Sequence, residues 1–158
     1  MSLDPKYSQA LTVCAASLAI KIGVLHLLTA RERLLTGRFA QEQDANHWYG
    51  GLLLILLGCV KGTELGGDAF IQRAERTAKA NAENEPFFLA LATIAGLTQA
   101  VPTATATTLV QVYTAARYGH TVSYLCGEKL NTAFRTTTFV TGLGATFVLA
   151  GMSLVNKK

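Results

Sequence analysis

Two long segments of the chain carry no charged residue, one from 86 to 116 and the other from 136 to 156. A helix that crosses a bilayer needs about 20 predominantly apolar residues, so each segment has room for at least one span. A third apolar stretch lies near the N-terminus. This pattern predicts four membrane-spanning helices, at residues 8–30, 84–99, 103–125 and 135–156.

The segment between the first two spans is polar at both ends. We predict that the second helix begins near Ala69, outside the bilayer, and that an extended loop occupies about 31–68. Within this loop, residues 50–59 are strongly apolar but only about half the length of a span. We interpret them as an interfacial or packed segment. The whole chain, 1–158, is predicted to form a single domain.

Composition favours a membrane protein over a soluble one. Half of the residues are apolar, 15% are charged and the mean hydropathy is +0.30, which is high for a soluble domain. The alternative is a soluble four-helix bundle, in which every helix needs a polar stripe facing water. The charge-free segments disfavour that alternative. The first apolar stretch contains Lys21 and His26 and lacks a cleavage pattern, so we interpret it as a retained span rather than a signal peptide.

Basic residues predict how the four spans are oriented. They concentrate in the first and third connections, at Arg31, Arg33, Arg38, Lys61, Arg73, Arg76, Lys79, Lys129 and Arg135. Because cytosolic loops of membrane proteins are enriched in Lys and Arg, both connections are predicted to be cytosolic. The net charge of +4 is then mostly a property of one membrane face, and no nucleic-acid partner is needed to explain it.

A charged run from 73 to 85 leads directly into apolar sequence. On a helix, Arg73, Arg76 and Glu83 fall at i, i+3 and i+10 and share one face. We expect Glu83 to be largely buried. Basic groups together with such a carboxylate can hold an anionic ligand near the membrane surface.

A second polar stripe lies inside the third span, where Arg117, His120 and Tyr124 stand at i, i+3 and i+7. Ionisable groups at membrane depth are costly unless they are paired or face a cavity. The stripe therefore indicates either a binding cavity or a set of interhelical hydrogen bonds with Arg117 reaching toward the surface, and the pattern leaves both open.

Other residues suggest structure rather than chemistry. Lys21, inside the first span, is expected to pair with a carboxylate or carbonyl of another helix. Cys14, Cys59 and Cys126 lack metal-ligand spacing, so they predict no metal site, and we expect all three to be buried, reduced thiols.

Both polar segments resemble the MAPEG family, the membrane-associated proteins in eicosanoid and glutathione metabolism. Arg76-x3-Ala80-x2-Glu83-Asn84-x-Pro86 is similar to the family's second-helix signature, Arg-x3-Asn-x2-Glu followed by Pro-Phe. Arg117-x2-His120-Thr121-x2-Tyr124-Leu125 resembles the third helix of the branch with microsomal glutathione transferase and microsomal prostaglandin E synthase. Further matches are Lys21, Arg33, Phe39-Ala40, Asp44 and Arg135. Only residues 45–67 are unlike the family.

The resemblance implies an all-α, integral membrane four-helix bundle that assembles as a homotrimer. It further implies a glutathione transferase or peroxidase that acts on lipophilic electrophiles or lipid hydroperoxides, with glutathione bound between subunits near the cytosolic face. Membrane lipid is an implied partner. The endoplasmic reticulum or another microsomal membrane is the implied location if the source is eukaryotic.

Roles for individual residues follow from the same resemblance. Seven residues are implied to bind glutathione: Arg33, Arg73, Arg76, Glu83, Arg117, His120 and Tyr124. Arg135 is the first catalytic candidate, because a guanidinium near the thiol favours the nucleophilic thiolate; the alternative is an interfacial anchor at the start of the fourth span. Thr136 is expected either to donate a hydrogen bond to the sulfur or to cap its helix. Asp44 either orients Arg135 or lies solvated in the loop.

Two departures from the family pattern keep other functions open. Ala80 stands where the family usually has Asn, and Phe139 stands where the branch often has Tyr. The alternatives are a glutathione-dependent isomerase resembling prostaglandin E synthase, and a non-catalytic, lipid-binding protein of the same fold, which the two departures favour.

Overall fold

Four long helices make up the computed structural model, which describes residues 2–36, 67–127 and 131–155. They are α1 (Pro5–Thr36), α2 (Gly67–Leu97), α3 (Thr103–Leu125) and α4 (Thr132–Val155). No strand occurs in the described ranges. The all-α, four-helix prediction is confirmed. Each helix contains or overlaps its predicted span, and α2 begins close to the predicted Ala69.

Two of the described helices, α1 and α4, are long and apolar enough to cross a membrane. The first half of α2 is highly charged, while α3 carries many threonines as well as Arg117. These polar residues make both helices less hydrophobic than α1 and α4. The spans assigned to α2 and α3 therefore stay predictions.

The main core lies where all four helices pack together. Leu18, Phe88, Val110 and Leu149, one from each helix, are almost completely buried there. The rings of Phe88 and Tyr113 stack with their centroids 3.6 Å apart. Large apolar side chains on the outside are exposed, among them Ile20, Phe87, Phe147 and Val155. This distribution suits a bundle whose outer surface meets lipid or another protein.

The end of the bundle where α1 and α3 finish and α2 and α4 begin is called the basic end here, because Arg33, Arg73, Arg76 and Arg135 lie there. Glu32 of α1 is fully buried, and its Oε1 accepts a hydrogen bond from the backbone N–H of Gly67 at 2.7 Å. Gly67 has a φ of 54°, a conformation that glycine adopts without strain. A carboxylate is also favourable at a helix N-terminus. Glu32 thus joins the end of α1 to the beginning of α2.

At the opposite end, Gly96 permits a close approach between α1 and α2. A Cβ atom on Gly96 would overlap the Tyr7 ring and come within 2.6 Å of Leu3 Cδ2. The ring cannot easily move aside, because Tyr7 is buried and its hydroxyl donates to the Ala92 carbonyl at 2.7 Å. Gly96 is therefore a packing requirement at this end.

Gly96→Ala is expected to destabilise the protein by about 1–3 kcal/mol, the usual effect of overpacking. The measurement is the thermal unfolding midpoint in detergent. Gly144→Ala is the matched control, because nothing lies within 4 Å of a Cβ at Gly144. An unchanged midpoint for Gly96→Ala would contradict the packing argument.

Candidate functional site

A cavity of about 490 Å³ opens at the basic end of the bundle, and we call it the basic pocket. Its lining comprises Arg73, Arg76, Tyr124, Gly127, Asn131, Thr132 and Arg135. Three of these residues are arginines, and none of the described lining residues is acidic. The charge of the lining favours an anionic ligand.

Arg135 is held in the pocket by an aromatic ring and a backbone carbonyl. Its guanidinium carbon lies 4.4 Å from the centre of the Tyr124 ring, a cation–π arrangement. Its Nη2 donates a long hydrogen bond of 3.4 Å to the Ser123 carbonyl. Its Nε is buried with no hydrogen-bond partner in the described part of the chain. Among the residues that the structure describes, no carboxylate pairs with this side chain.

Arg73 lies against the backbone at the end of α3. Gly127 has a φ of 61°, and a Cβ there would come within 3.2 Å of the Arg73 guanidinium carbon. Glycine therefore provides both the conformation and the space. Like Arg135, Arg73 has a buried Nε with no hydrogen-bond partner among residues 2–36, 67–127 and 131–155. Arg76 lies one turn further along α2 with an exposed side chain.

His120 lies behind the pocket and supports it. The residue is buried, and its ring meets the Tyr124 ring edge-on, with centroids 4.9 Å apart. His120 Nδ1 is 3.4 Å from the backbone oxygen of Arg135. His120 therefore contacts both the aromatic ring under Arg135 and the backbone that carries Arg135.

The structure places Arg117 away from the basic pocket, in the bundle interior. Arg117 is buried, and its Nη2 donates to Asn81 Oδ1 at 2.7 Å and to the Ala80 carbonyl at 3.0 Å. Its Nε lies 3.5 Å from Glu85 Oε1. The predicted stripe on α3 is therefore divided: Tyr124 lines the pocket, His120 supports it, and Arg117 binds α2.

A model of the MAPEG family matches residues 11–155 of the chain. The chain belongs to the MAPEG family. No curated protein matches it significantly. MAPEG proteins are membrane-associated, and the family includes glutathione transferases and prostaglandin E synthases that depend on glutathione. The family assignment predicted from the motifs is confirmed, while the assignment to one branch stays a prediction.

One carboxylate of the MAPEG signature lies in an unexpected environment. Glu83 is exposed, so the prediction that it is buried is wrong for this single chain. The buried carboxylate of α2 is Glu85, which forms an ion pair with Lys21 of α1. The prediction that Lys21 pairs with another helix is confirmed. Helix periodicity could have revealed Glu85, because the buried positions of α2 include Thr77, Asn81, Glu85 and Phe88.

The remaining predicted site residues lie apart from the basic pocket or outside the described residues. Arg33 forms an ion pair with Glu75 at the surface. Thr136 is exposed, and its hydroxyl donates to the Thr132 carbonyl at 3.2 Å. The side chain that caps α4 is instead that of Asn131, whose Oδ1 accepts the Ala133 N–H at 3.0 Å. Asp44 lies outside the described residues.

Two further observations concern positions around the site. Cys126 is exposed, so the expectation that all cysteines are buried is wrong for this residue; Cys14 is buried, and Cys59 lies outside the described residues. The two amides near Ala80 are already engaged. Asn81 binds Arg117, and Asn84 Nδ2 donates to the Ala80 carbonyl at 2.7 Å.

Proposed function

We propose that this protein binds glutathione in the basic pocket and activates its thiolate for attack on lipophilic electrophiles or lipid hydroperoxides. The observation that carries the proposal is the convergence of Arg73, Arg76 and Arg135 on one cavity of about 490 Å³. Glutathione at neutral pH has two carboxylates, one ammonium and one thiol. The three arginines of the pocket match three negative charges of the ligand, namely its two carboxylates and the thiolate that forms at its sulfur.

Arg73 and Arg76 are proposed to bind the two carboxylates. Arginine forms charge-assisted and often bidentate hydrogen bonds with carboxylates, and these are stronger than bonds between neutral groups. Arg73 Nε has no hydrogen-bond partner among the described residues, and this supports the role, since a bound carboxylate would satisfy it. The exposed side chain of Arg76 is free to follow the ligand.

Glu83 is the proposed partner of the ligand's ammonium group. It stands seven residues after Arg76 on the same helix, about 10 Å along the axis, and it is exposed. An exposed carboxylate at this distance suits a ligand held between neighbouring subunits of the proposed homotrimer. Arg33, in the last turn of α1, and Asp44 are proposed to complete the site.

Arg135 is proposed to stabilise the thiolate. The pKa of a free thiol is about 8.5, and a neighbouring guanidinium lowers it and raises the fraction of nucleophile. The Tyr124 ring and the Ser123 carbonyl already position Arg135 before any ligand binds. Thr136 can take part only if its hydroxyl turns away from the Thr132 carbonyl.

The proposed reactions differ in the bond that breaks. In the transferase reaction, the thiolate sulfur bonds to an electrophilic carbon and displaces a leaving group with its electron pair. In the peroxidase reaction, the sulfur bonds to a peroxide oxygen, the O–O bond breaks, and the alkoxide takes a proton to form an alcohol. A second glutathione then attacks the oxidised sulfur, yielding glutathione disulfide and water.

Arg117 has a different proposed role. Its guanidinium binds Asn81, the Ala80 carbonyl and Glu85, so it supports the α2–α3 contact rather than glutathione directly. His120 is likewise proposed to act through Tyr124 and the Arg135 backbone.

The test of the proposed function is glutathione-dependent turnover by the purified protein in detergent, with an aryl halide and with a lipid hydroperoxide. Turnover with either substrate supports the proposal. Turnover without net consumption of glutathione on an endoperoxide substrate would instead favour the isomerase. Glutathione binding without any turnover would favour the non-catalytic alternative.

Arg76→Ala is expected to weaken glutathione binding about 10-fold or more, because a hydrogen bond to a charged group typically contributes about 1.5–3 kcal/mol. Isothermal titration calorimetry measures the affinity. Lys79→Ala is the matched control, since Lys79 is an exposed cation on the same helix that does not line the basic pocket. Equal losses in both variants would indicate a general charge effect and contradict a specific contact.

A further inference from the structure

A cavity that the proposed reaction does not use lies inside the bundle, between α2, α3 and α4, and we call it the interior cavity. Its volume is about 90 Å³. Four residues of its lining carry polar side chains: Asn84, Tyr113, Arg117 and Thr146. Arg117 is the only charged residue among the described lining residues. The described linings of the interior cavity and of the basic pocket have no residue in common, so the two are separate sites.

The ionised side chains beside the interior cavity have an excess of one positive charge. Lys21 and Arg117 are both buried, and the one buried carboxylate that they contact in the described part of the chain is that of Glu85. The Lys21 ammonium and the Arg117 Nε meet the same oxygen of this carboxylate, Oε1. One carboxylate balances one of two cations. An unbalanced cation in a low-dielectric interior is unfavourable, so a second anion would be stabilised here.

Tyr113 contributes a hydrogen-bond donor to the interior cavity. The residue is 2% exposed, and its hydroxyl has no hydrogen-bond partner among residues 2–36, 67–127 and 131–155. The Tyr113 ring stacks on the ring of Phe88, and this contact fixes the position of the hydroxyl. A buried hydroxyl without a partner is unfavourable, so an acceptor placed in the cavity would be stabilised by it.

The side chains of Arg117 and Asn84 also present N–H groups near the cavity. The Arg117 hydrogen bonds to Asn81 and Ala80 both use Nη2, and the contact with Glu85 uses Nε, so none of the three occupies Nη1. Asn84 Nδ2 donates to the Ala80 carbonyl, which uses one of the two hydrogens of that amide nitrogen. Guanidinium, amide and hydroxyl donors around one cavity favour an anion over a cation.

The size and depth of the interior cavity restrict the kind of anion. Arg117 stands eight residues before the end of α3, about 12 Å from that end, so the cavity lies well inside the predicted membrane region. One water needs about 10–15 Å³ of such space, so a cavity of about 90 Å³ has room for a halide ion and a few waters. A single negative charge balances the excess, whereas sulfate carries two and would exceed it.

We propose that the interior cavity binds a small monovalent anion of the chloride type, held by the Arg117 guanidinium and the Tyr113 hydroxyl. The bound anion would balance the second cation of the cluster formed by Lys21, Glu85 and Arg117 and would stabilise the packing of α2, α3 and α4 around it. This inference goes beyond the proposed function and does not depend on it, because it uses no residue of the basic pocket.

The first test follows the thermal unfolding midpoint of the purified protein in a non-ionic detergent while sodium chloride progressively replaces sodium gluconate at constant ionic strength. Gluconate has the same charge but is too large for the interior cavity. A ligand that binds only the folded state stabilises it by mass action. Chloride is therefore expected to raise the midpoint by about 3–5 °C when its concentration is about ten times its Kd. Equal midpoints in the two salts would overturn the proposal.

Variants of the cavity separate a specific site from a general salt effect. Tyr113→Phe keeps the stacked ring and is expected to lose most of the chloride-dependent shift. Gly142→Leu is expected to abolish it, because a Cβ at Gly142 would already lie 3.8 Å from Arg117 Cδ and the longer side chain would fill the cavity. Gly144→Leu is the matched control, since a Cβ at Gly144 meets nothing within 4 Å. A wild-type shift in both cavity variants would overturn the proposal.

Lys21→Met tests the charge balance on which the proposal rests. This variant leaves one buried cation, Arg117, facing the Glu85 carboxylate, so no excess charge remains for an anion to balance. The chloride-dependent shift is therefore expected to fall to less than half of its wild-type value. A shift as large as in the wild-type protein would overturn the charge argument. Each variant is compared with itself in the two salts, so a change in its basal stability does not affect the result.

Bromide locates the site directly, because it replaces chloride and scatters X-rays anomalously. In crystals grown in bromide, an anomalous peak is expected within hydrogen-bond distance of the Arg117 guanidinium and the Tyr113 hydroxyl. A cavity that holds only water gives neither the peak nor the salt-dependent midpoint, and that result would overturn the proposal. Neither experiment involves glutathione, so the outcome is independent of the proposed function.

Discussion

Arg135→Ala is expected to lower glutathione-dependent turnover by about 100- to 1000-fold, the range seen when one group that stabilises developing or resident negative charge is removed. In the basic pocket, the Tyr124 ring and the Ser123 carbonyl together position Arg135. Without it, the thiol pKa returns toward about 8.5 and little thiolate forms at neutral pH. Glutathione affinity should fall much less, because Arg73 and Arg76 remain.

The measurement combines turnover with calorimetry and with the ultraviolet absorbance of the bound thiolate. Lys79→Ala again controls for the loss of one positive charge and should retain the thiolate signal. Arg135→Ala with wild-type turnover would remove Arg135 from the catalytic role. Loss of turnover accompanied by an equal loss of glutathione binding would instead assign Arg135 to binding.

The second large effect is expected in the bundle interior. Glu85→Ala should lower the free energy of unfolding by about 3–5 kcal/mol, because removal of one partner from a buried ion pair leaves uncompensated charge. In this protein the change leaves two buried cations, Lys21 and Arg117, with no carboxylate between them in the described part of the chain. Reversible denaturation in mixed detergent micelles measures the effect.

Two comparisons make this prediction specific. Glu75→Ala disrupts the surface pair with Arg33 and should change the free energy of unfolding by less than about 1 kcal/mol, as exposed pairs usually do. Lys21→Met in the Glu85→Ala background should recover part of the loss, since it removes one of the stranded cations. Additive effects of the two changes would contradict a coupled buried cluster.

Much of the fold could be predicted, because few folds accommodate such long charge-free segments in a chain of this size. The pairing of Lys21 with another helix followed from the cost of a lone cation in a span. Its partner was not foreseen. Motif comparison drew attention to Glu83, whereas the helical repeat that includes Thr77, Asn81 and Phe88 puts Glu85 on the buried face.

Only those features of the site that depend on the spacing of residues along one helix could be predicted from the sequence. The stripe on α3 correctly grouped Arg117, His120 and Tyr124 on one helix, but spacing along one helix does not say which neighbouring element each side chain meets. Arg117 binds Asn81 of α2 in the bundle interior, whereas Tyr124 contacts Arg135 of α4. The cavity of about 90 Å³ between α2, α3 and α4 is lined by residues from three helices, so no pattern within one helix predicts it.

The contact between Glu32 and Gly67 also bears on how the chain tolerates changes in length. Its hydrogen bond joins the end of α1 to the first residue of α2. The entropy of closing a loop grows slowly, by about 0.6 kcal/mol for each doubling of its length. Insertions between Glu32 and Gly67 are therefore expected to change the free energy of forming this contact by less than about 1 kcal/mol.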